Sequence, residues 1–253
     1  MKVFRTIHWM NSKDQIYFNN EVKRTSYFWS RFSNRPDFKD KTILDFGCGH
    51  GALTLHAAKF KPKKIIGIDL EKNYIDFANE NLDNNFREYK DIVEFKLQDI
   101  NKWDEKDKFD IIISKETFEH VIDLGEVLES MYSLLKKNGR IYSGFGPLYN
   151  FFNGDHGRTY SILPWFHLVL PDEFIINRVN KINNTKINSI KELGLNMYSL
   201  KDYVSLFSRS RFKIEMFEKN VSKNRLAMIF KLLSKLKFLE EYFTFNIFII
   251  MSK

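Results

Sequence analysis

The stretch Leu44-Asp45-Phe46-Gly47-Cys48-Gly49-His50-Gly51 follows an apolar start and precedes a helical pattern, and no other stretch constrains this chain as strongly. Three glycines alternate through one turn. Such a turn lets a nucleotide-like ligand approach the backbone where a β-carbon would clash. Glycine turns serve many ligands, so the order of elements that follows is what sharpens the reading. Ile65-Ile66-Gly67-Ile68-Asp69 reads as a second buried strand ending in an acid, about 20 residues downstream. That is the interval of a β-α-β unit holding a ribosyl group, whose two hydroxyls can both donate to one carboxylate.

Two further apolar segments follow, 92–97 ending in Gln98-Asp99-Ile100 and 109–113 ending in Ser114-Lys115-Glu116. Helical spacing is expected over 20–32, from Ala52, from Asn73 and over 124–136, the last stopped by Asn138-Gly139 before a fifth strand at 140–145. Strands alternating with helices pair in parallel through right-handed crossovers, with ligands at their carboxyl ends. After Phe145 glycines, prolines and aromatics cluster, which reads as an insertion; 211–217 and 243–250 read as the last two strands. The expected class is α/β, a doubly wound, seven-stranded, mostly parallel Rossmann-like sheet with a lid insertion after strand five. The expected divisions are an N-terminal helical cap (1–40), a ligand-binding core (41–146), an acceptor-binding insertion (147–200) and a C-terminal completion of the sheet (201–253).

Taken in order, these motifs resemble the class I S-adenosylmethionine-dependent methyltransferases. LDFGCGHG is similar to their first motif, GIDL to their ribose-binding segment and QDI to their adenine-edge segment, over Thr42 to Phe145. A dinucleotide-binding dehydrogenase domain is disfavoured, because the pattern G-x-G-x-G has no G-x-x-G step. The resemblance implies S-adenosylmethionine as cofactor. Asp45 would orient its amino-acid end, which Gly47, Gly49 and Gly51 admit to the backbone. Asp69 would take the ribose hydroxyls and Asp99 the adenine amino group. Leu70 and Ile100 would pack on the base, and Ser114 would border the same site.

On the acceptor side stands Glu116-Thr117-Phe118-Glu119-His120. On a helix, Glu116, Glu119 and His120 would share one face, where two carboxylates and an imidazole can hold Mg²⁺ and acidify an acceptor hydroxyl. This segment resembles quinone-biosynthesis O-methyltransferases and Mg²⁺-using small-RNA 2′-O-methyltransferases. In metal-free relatives the histidine instead packs or orients the loop. His156, in Asn153-Gly154-Asp155-His156-Gly157-Arg158, is the expected base, or a fourth metal ligand; a loop histidine bonded to backbone is the competing reading. Glu119 and His120 complete the expected catalytic set. His50 and His56 are assigned to the glycine turn and its helix, His8 to the N-terminal arm and His167 to the insertion. The pattern GPLY…GDHG…LPWFH resembles bacterial type 11/23 methyltransferase-domain proteins of glycan biosynthesis, which implies a glycan-like acceptor by analogy.

Composition decides little. The net charge of +8 is scattered along the chain, so nucleic acid is not the expected partner, and the single cysteine excludes an internal disulfide. Cys48 reads as a small side chain packed behind the turn. Lys2 and Arg5 precede no sustained apolar run, so the expectation is a cytoplasmic protein without a secretory signal. The lysine-rich segment 224–238 suits peripheral contact with an anionic membrane, or packing on the sheet or at a dimer contact. The position after strand four reads Ser114-Lys115-Glu116-Thr117, not the Asn- or Asp-Pro-Pro-aromatic turn of base N-methylation. The expected reaction is methyl transfer to a hydroxyl of a small-molecule or glycan acceptor. An RNA 2′-O-methyltransferase using Mg²⁺ and a non-catalytic cofactor-binding subunit stay open, as does the oligomeric state.

Overall fold

The computed structural model describes residues 12–33, 35–220 and 225–253. His8 and the first residue of the lysine-rich segment lie outside them. The chain forms two compact units, 1–99 and 100–253. The division falls inside the stretch 41–146 that reads in sequence as one core.

The first unit holds α1 (Ser12–Trp29), β1 (Thr42–Phe46), α2 (Ala52–Ala58), β2 (Lys64–Asp69), α3 (Lys72–Asn85) and β3 (Val93–Leu97). Its strands lie in the order β3-β2-β1, all parallel, with Asp45 opposite Gly67 and Asp69 opposite Leu97. Ile43, Leu44, Ile65, Ile66 and Ile68 are buried, as near-continuous β-branched runs must be when both faces of a parallel sheet are covered. α3 buries Ile75, Ala78 and Leu82, one helical stripe, and α1 lays Phe18 against Phe77 and Phe86. α1 begins and ends earlier than the expected 20–32.

The second unit holds β4 (Phe109–Lys115), α4 (Leu124–Leu134), β5 (Leu135–Phe145), α5 (Phe166–Val169), α6 (Asp172–Asn183), α7 (Leu200–Arg209), β6 (Lys213–Lys219), α8 (Arg225–Leu233), α9 (Glu240–Phe243) and β7 (Ile247–Ser252). Its strand order is β4-β5-β7-β6, with β4 and β5 parallel and β7 antiparallel to both neighbours. The two units together supply the seven strands of a mixed α/β sheet architecture. Asp123 caps α4 by accepting from the Glu126 amide at 3.2 Å. α7 opens with a full capping box, Ser199 and Asp202. Insertion residues Ile175, Val179 and Ile190 form a small core of their own, joined by Phe166, Leu170 and Met197.

Boundaries in the second unit also differ from expectation. α4 stops at Leu134, because the amides of Asp107 and Lys108 take the carbonyls of Ser133 and Leu134. The residues expected to end it are instead a bulge in β5. Pairing jumps from Phe109–Leu135 to Ile111–Arg140, and Asn138 adopts a left-handed φ of 64° within the bulge. β6 is shifted to 213–219. β7 starts at Ile247 because Asn220 accepts from the Phe245 amide and donates to the Phe243 carbonyl, while residues 240–243 make a helical turn.

Candidate active site

In the first unit the turn after β1 is fastened to the end of β2. The amides of Gly47 and Cys48 both donate to the Ile68 carbonyl at 2.9 Å. The Gly49 amide donates to Asp69 Oδ2 at 2.9 Å, and the Glu71 amide to Asp69 Oδ1 at 3.0 Å. The acid predicted to read a ribose therefore also pins the glycine turn, each oxygen keeping further lone-pair capacity. Asp45 is buried, and its Oδ2 accepts from the Thr54 hydroxyl at 2.6 Å, which orients it from the first turn of α2. No sequence signal pointed to Thr54.

Two of the glycines have different reasons to be glycine. Gly49 has φ +51°, and a β-carbon there would meet nothing within 4 Å among the described residues, which leave open space beside the turn. Gly51 has φ +83°, but its β-carbon would sit 2.5 Å from Phe95 Cζ. Gly51 thus has a packing reason to be glycine, whatever else the turn admits. Gly51→Ala is expected to cost about 2–4 kcal/mol in urea denaturation, from left-handed strain plus overpacking. A loss below about 0.5 kcal/mol would refute the clash, since surface substitutions fall in that range.

Cys48 is buried behind the turn, where burial pushes its thiol well above the usual range. His50 is wedged among Tyr17, Tyr74 and Phe77 with its Nε2 3.3 Å from Asp14. His56 is on α2, its pKa lowered to about 4 by burial. Leu70 is 70% exposed just past β2, as a surface for a base would be. Asp99 is half-buried at the end of the segment after β3, where the Gln98 amide donates to the Asp69 carbonyl at 3.2 Å. Ile100, in the second unit, is packed in the interior, in a turn against α4. Its side chain fills core.

The acceptor-side residues belong to the second unit. Ser114 is buried at the end of β4. Glu116 does not share a helical face with Glu119 and His120. It is exposed at φ 53°, and only Phe118–His120 form a single 3-10 turn. The i, i+3, i+4 geometry behind the metal reading is therefore absent, and among the described residues no group of three His, Cys, Asp or Glu side chains is placed to hold a metal ion. The cause is backbone: the Glu116 amide donates to the Gly144 carbonyl, holding it to β5 instead of starting a helix.

Glu119, His120 and His156 do come together. Glu119 is 3% exposed; its Oε1 accepts from the Gly146 amide at 3.0 Å, and its Oε2 is buried without a partner among the described residues. Burial raises its pKa to about 8, so at neutral pH it is mostly a protonated acid. His120 Nδ1 lies 2.9 Å from the Gly194 carbonyl and His156 Nε2 2.9 Å from the Pro147 carbonyl. A carbonyl only accepts, so each ring donates there and keeps a lone pair on its other nitrogen. The rings meet edge to face at 5.0 Å. Burial lowers both histidines, His156 to about 4, so it is neutral at physiological pH but a weaker base than an unperturbed imidazole. The Arg158 guanidinium lies 3.4 Å from His120.

A strap that the sequence did not reveal holds this turn. Asn196 donates to the carbonyls of Phe118 and Val121, its amide donates to the Glu119 carbonyl, and its Oδ1 accepts from the Tyr203 hydroxyl at 3.0 Å. Phe118, Phe145, Tyr203 and Phe207 pack beneath. His167 lies in the insertion as expected, bonded to the Tyr149 carbonyl.

Because folding retains the Glu119 proton, while an unfolded carboxyl releases it near 4.5, stability falls as pH rises from about 4.5 to about 8. Glu119→Gln has no proton to lose. It is expected to match the wild type near pH 5 and to exceed it by on the order of 3 kcal/mol near pH 8. Urea titrations at the two pH values check this; a difference that does not change with pH contradicts it.

Residues 37–145 match the family model described as a methyltransferase domain. This stretch is a class I S-adenosylmethionine-dependent methyltransferase domain. The chain is 30% identical over 233 residues to protein arginine N-methyltransferase 1 of Saccharomyces cerevisiae, covering 82% of this chain and 64% of that protein's length. It is 27% identical over 203 residues to the ubiquinone biosynthesis O-methyltransferase of Pelagibacter ubique, covering 77% of this chain and 80% of that one. Among solved structures, an S-adenosylmethionine-dependent methyltransferase of Mesorhizobium loti superposes with a TM-score of 0.59 at 14% identity, over 93% of this chain and all of that one. Geranyl diphosphate C-methyltransferase of Streptomyces coelicolor gives 0.60 at 15% identity, over 98% of this chain and 86% of that one. These likenesses establish the Rossmann-like α/β methyltransferase fold. The matched residues include the glycine turn, Asp69 and the Glu119 turn, whereas His156 and Asn196 lie beyond them.

Proposed function

We propose that this chain transfers a methyl group from S-adenosylmethionine to the hydroxyl oxygen of a small-molecule acceptor, with His156 receiving the proton. The observation that carries the reading is the pair of neutral imidazoles, each fixed by a backbone carbonyl with one lone pair left over. The open space at Gly49 and the lone pairs left on Asp69 suit the cofactor's amino-acid end and ribose. Asp45 would take the cofactor's amino group, Leu70 its base and Asp99 the adenine edge. When bound, S-adenosylmethionine supplies an electrophilic methyl on a sulfonium.

The chain's own groups then have a defined task. A hydroxyl oxygen turns strongly acidic only as it gains the methyl, so a weak but neutral base suffices, provided it is already oriented. His156 Nδ1 meets that requirement once Nε2–H is held by Pro147. His120 would orient the acceptor or share the proton. Glu119, protonated, would offer a buried O–H donor to an acceptor oxygen.

Oxygen is favoured over guanidinium nitrogen by charge. An arginine acceptor calls for ionised carboxylates, and Glu119 is mostly uncharged below about pH 8. The RNA 2′-O reading required a Mg²⁺ set built on one helical face, and that face does not form. A glycan-like hydroxyl remains within the proposal as one acceptor class. Paired acceptors of one skeleton, bearing a hydroxyl or an amine, test it with methyl-labelled cofactor. Label on the hydroxyl partner supports the proposal; label on the amine alone sinks it.

A further inference from the structure

We infer that α8 and the turn after it form a docking face for an anionic lipid surface, independent of the methyl-transfer reaction. At 100° per residue, Met228, Ile229 and Leu232 fall within about one quadrant of α8, and all three are exposed. Leu236 and Phe238 continue the exposed apolar run through the following turn, Phe238 being 74% exposed. The opposite side of the helix is already used. Phe230 packs on Phe151, Phe152 and Phe243, with ring centroids 5.2, 5.8 and 5.9 Å away. Phe230 therefore anchors the helix to its unit, while Met228, Ile229 and Leu232 stay exposed.

Charge selects the occupant. Between 225 and 238 the sequence carries Arg225, Lys231, Lys235 and Lys237 and no acid. The three lysines are exposed and unpaired with any acid among the described residues. The nearest following acids are committed elsewhere: Glu240 pairs with Lys219, while Glu241 accepts from Asn150 and from the Leu200 amide. Apolar side chains flanked by unpaired lysines match a bilayer's edge, where the chains enter the acyl boundary and the ammonium groups meet phosphate. A protein partner would need a matching set of acids to meet those lysines, whereas an anionic bilayer supplies phosphate everywhere along its edge.

The aromatic cluster also ties this face to the insertion. Trp165 lies 6.2 Å from Phe152 and 5.5 Å from Phe243, and two and three residues before it stand the exposed Leu163 and the fully exposed Ile162.

Flotation with vesicles of phosphatidylcholine alone, and of phosphatidylcholine with phosphatidylglycerol, tests the inference on the full chain. The wild type is expected to bind the anionic vesicles at least about tenfold more tightly, and raising salt weakens that binding. The double variant M228Q/L232Q and the triple variant K231E/K235E/K237E should each lose about tenfold or more on anionic vesicles. Their thermal midpoints should stay at the wild-type value, because every altered side chain is exposed. Absence of vesicle binding, equal binding to neutral vesicles, or unaffected variants would overturn it. So would a wild-type dimer that M228Q/L232Q splits in sedimentation velocity without any vesicle binding, since that face would then belong to a second copy.

Discussion

Asp69→Ala is expected to weaken S-adenosylmethionine binding by about 10²–10⁴-fold, from the loss of two charge-assisted hydrogen bonds worth about 1.5–3 kcal/mol each. The loss has a second source in the apo protein. Asp69 holds the Gly49 amide at 2.9 Å and the Glu71 amide at 3.0 Å, so its removal also loosens the turn that faces the ligand. The two contributions separate by substitution. Asp69→Asn keeps one carbonyl acceptor but presents an amide N–H where an acceptor stood, so it should lie between wild type and alanine. Calorimetric titration of the three proteins gives the affinities, and urea denaturation without ligand gives the cost to the turn, about 1 kcal/mol. Affinity in Asp69→Ala within about threefold of wild type would remove the ribose assignment, because that is less than one charged hydrogen bond.

His156→Ala should lower kcat by about 10²–10⁴-fold, the usual contribution of a positioned base, with little change in cofactor affinity. A merely structural histidine would show a different pattern. His156→Gln can still donate to the Pro147 carbonyl and so keep the loop, yet it has no basic nitrogen. It should fold like the wild type and be as slow as alanine. The pH profile adds a sign. Since burial lowers the His156 pKa to about 4, the neutral form persists well below the ordinary imidazole range. The acid limb of kcat/KM should therefore fall near pH 4–5 rather than 6–7. Folding stability moves in the same direction: an unfolded histidine takes its proton near 6.5, so this contribution is lost as pH falls from about 6.5 to about 4. An acid limb near 6.5, or full activity in His156→Gln, would contradict the assignment.

What the sequence disclosed and what it hid divide along a physical line. The glycine turn, β2 ending in Asp69 and the burial of β1, β2 and β4 follow from local periodicity and from strand-end chemistry, both short-range signals. Glu116, Glu119 and His120 share that local character, and there the reading of a helix went astray. A backbone bond from Glu116 to Gly144 in β5 overrides helical spacing, and sequence distance hides such a bond. The same is true of Asn196, which reaches back to Phe118 and Val121, and of Asn220, which delays β7. The bulge in β5 replaced a helix stop because Asn138-Gly139 favours a left-handed turn in either setting. Gly51 teaches a further point: a neighbour, here Phe95, can by itself demand a motif glycine.

The account rests on a glycine-walled opening pinned by Asp69 that accepts an adenosyl sulfonium. Titrating the unmodified chain with S-adenosylmethionine, and in parallel with a nicotinamide dinucleotide, tests that most directly. One saturable site for S-adenosylmethionine and no heat from the dinucleotide is the expected result. Silence towards S-adenosylmethionine, or tighter uptake of the dinucleotide, would contradict it.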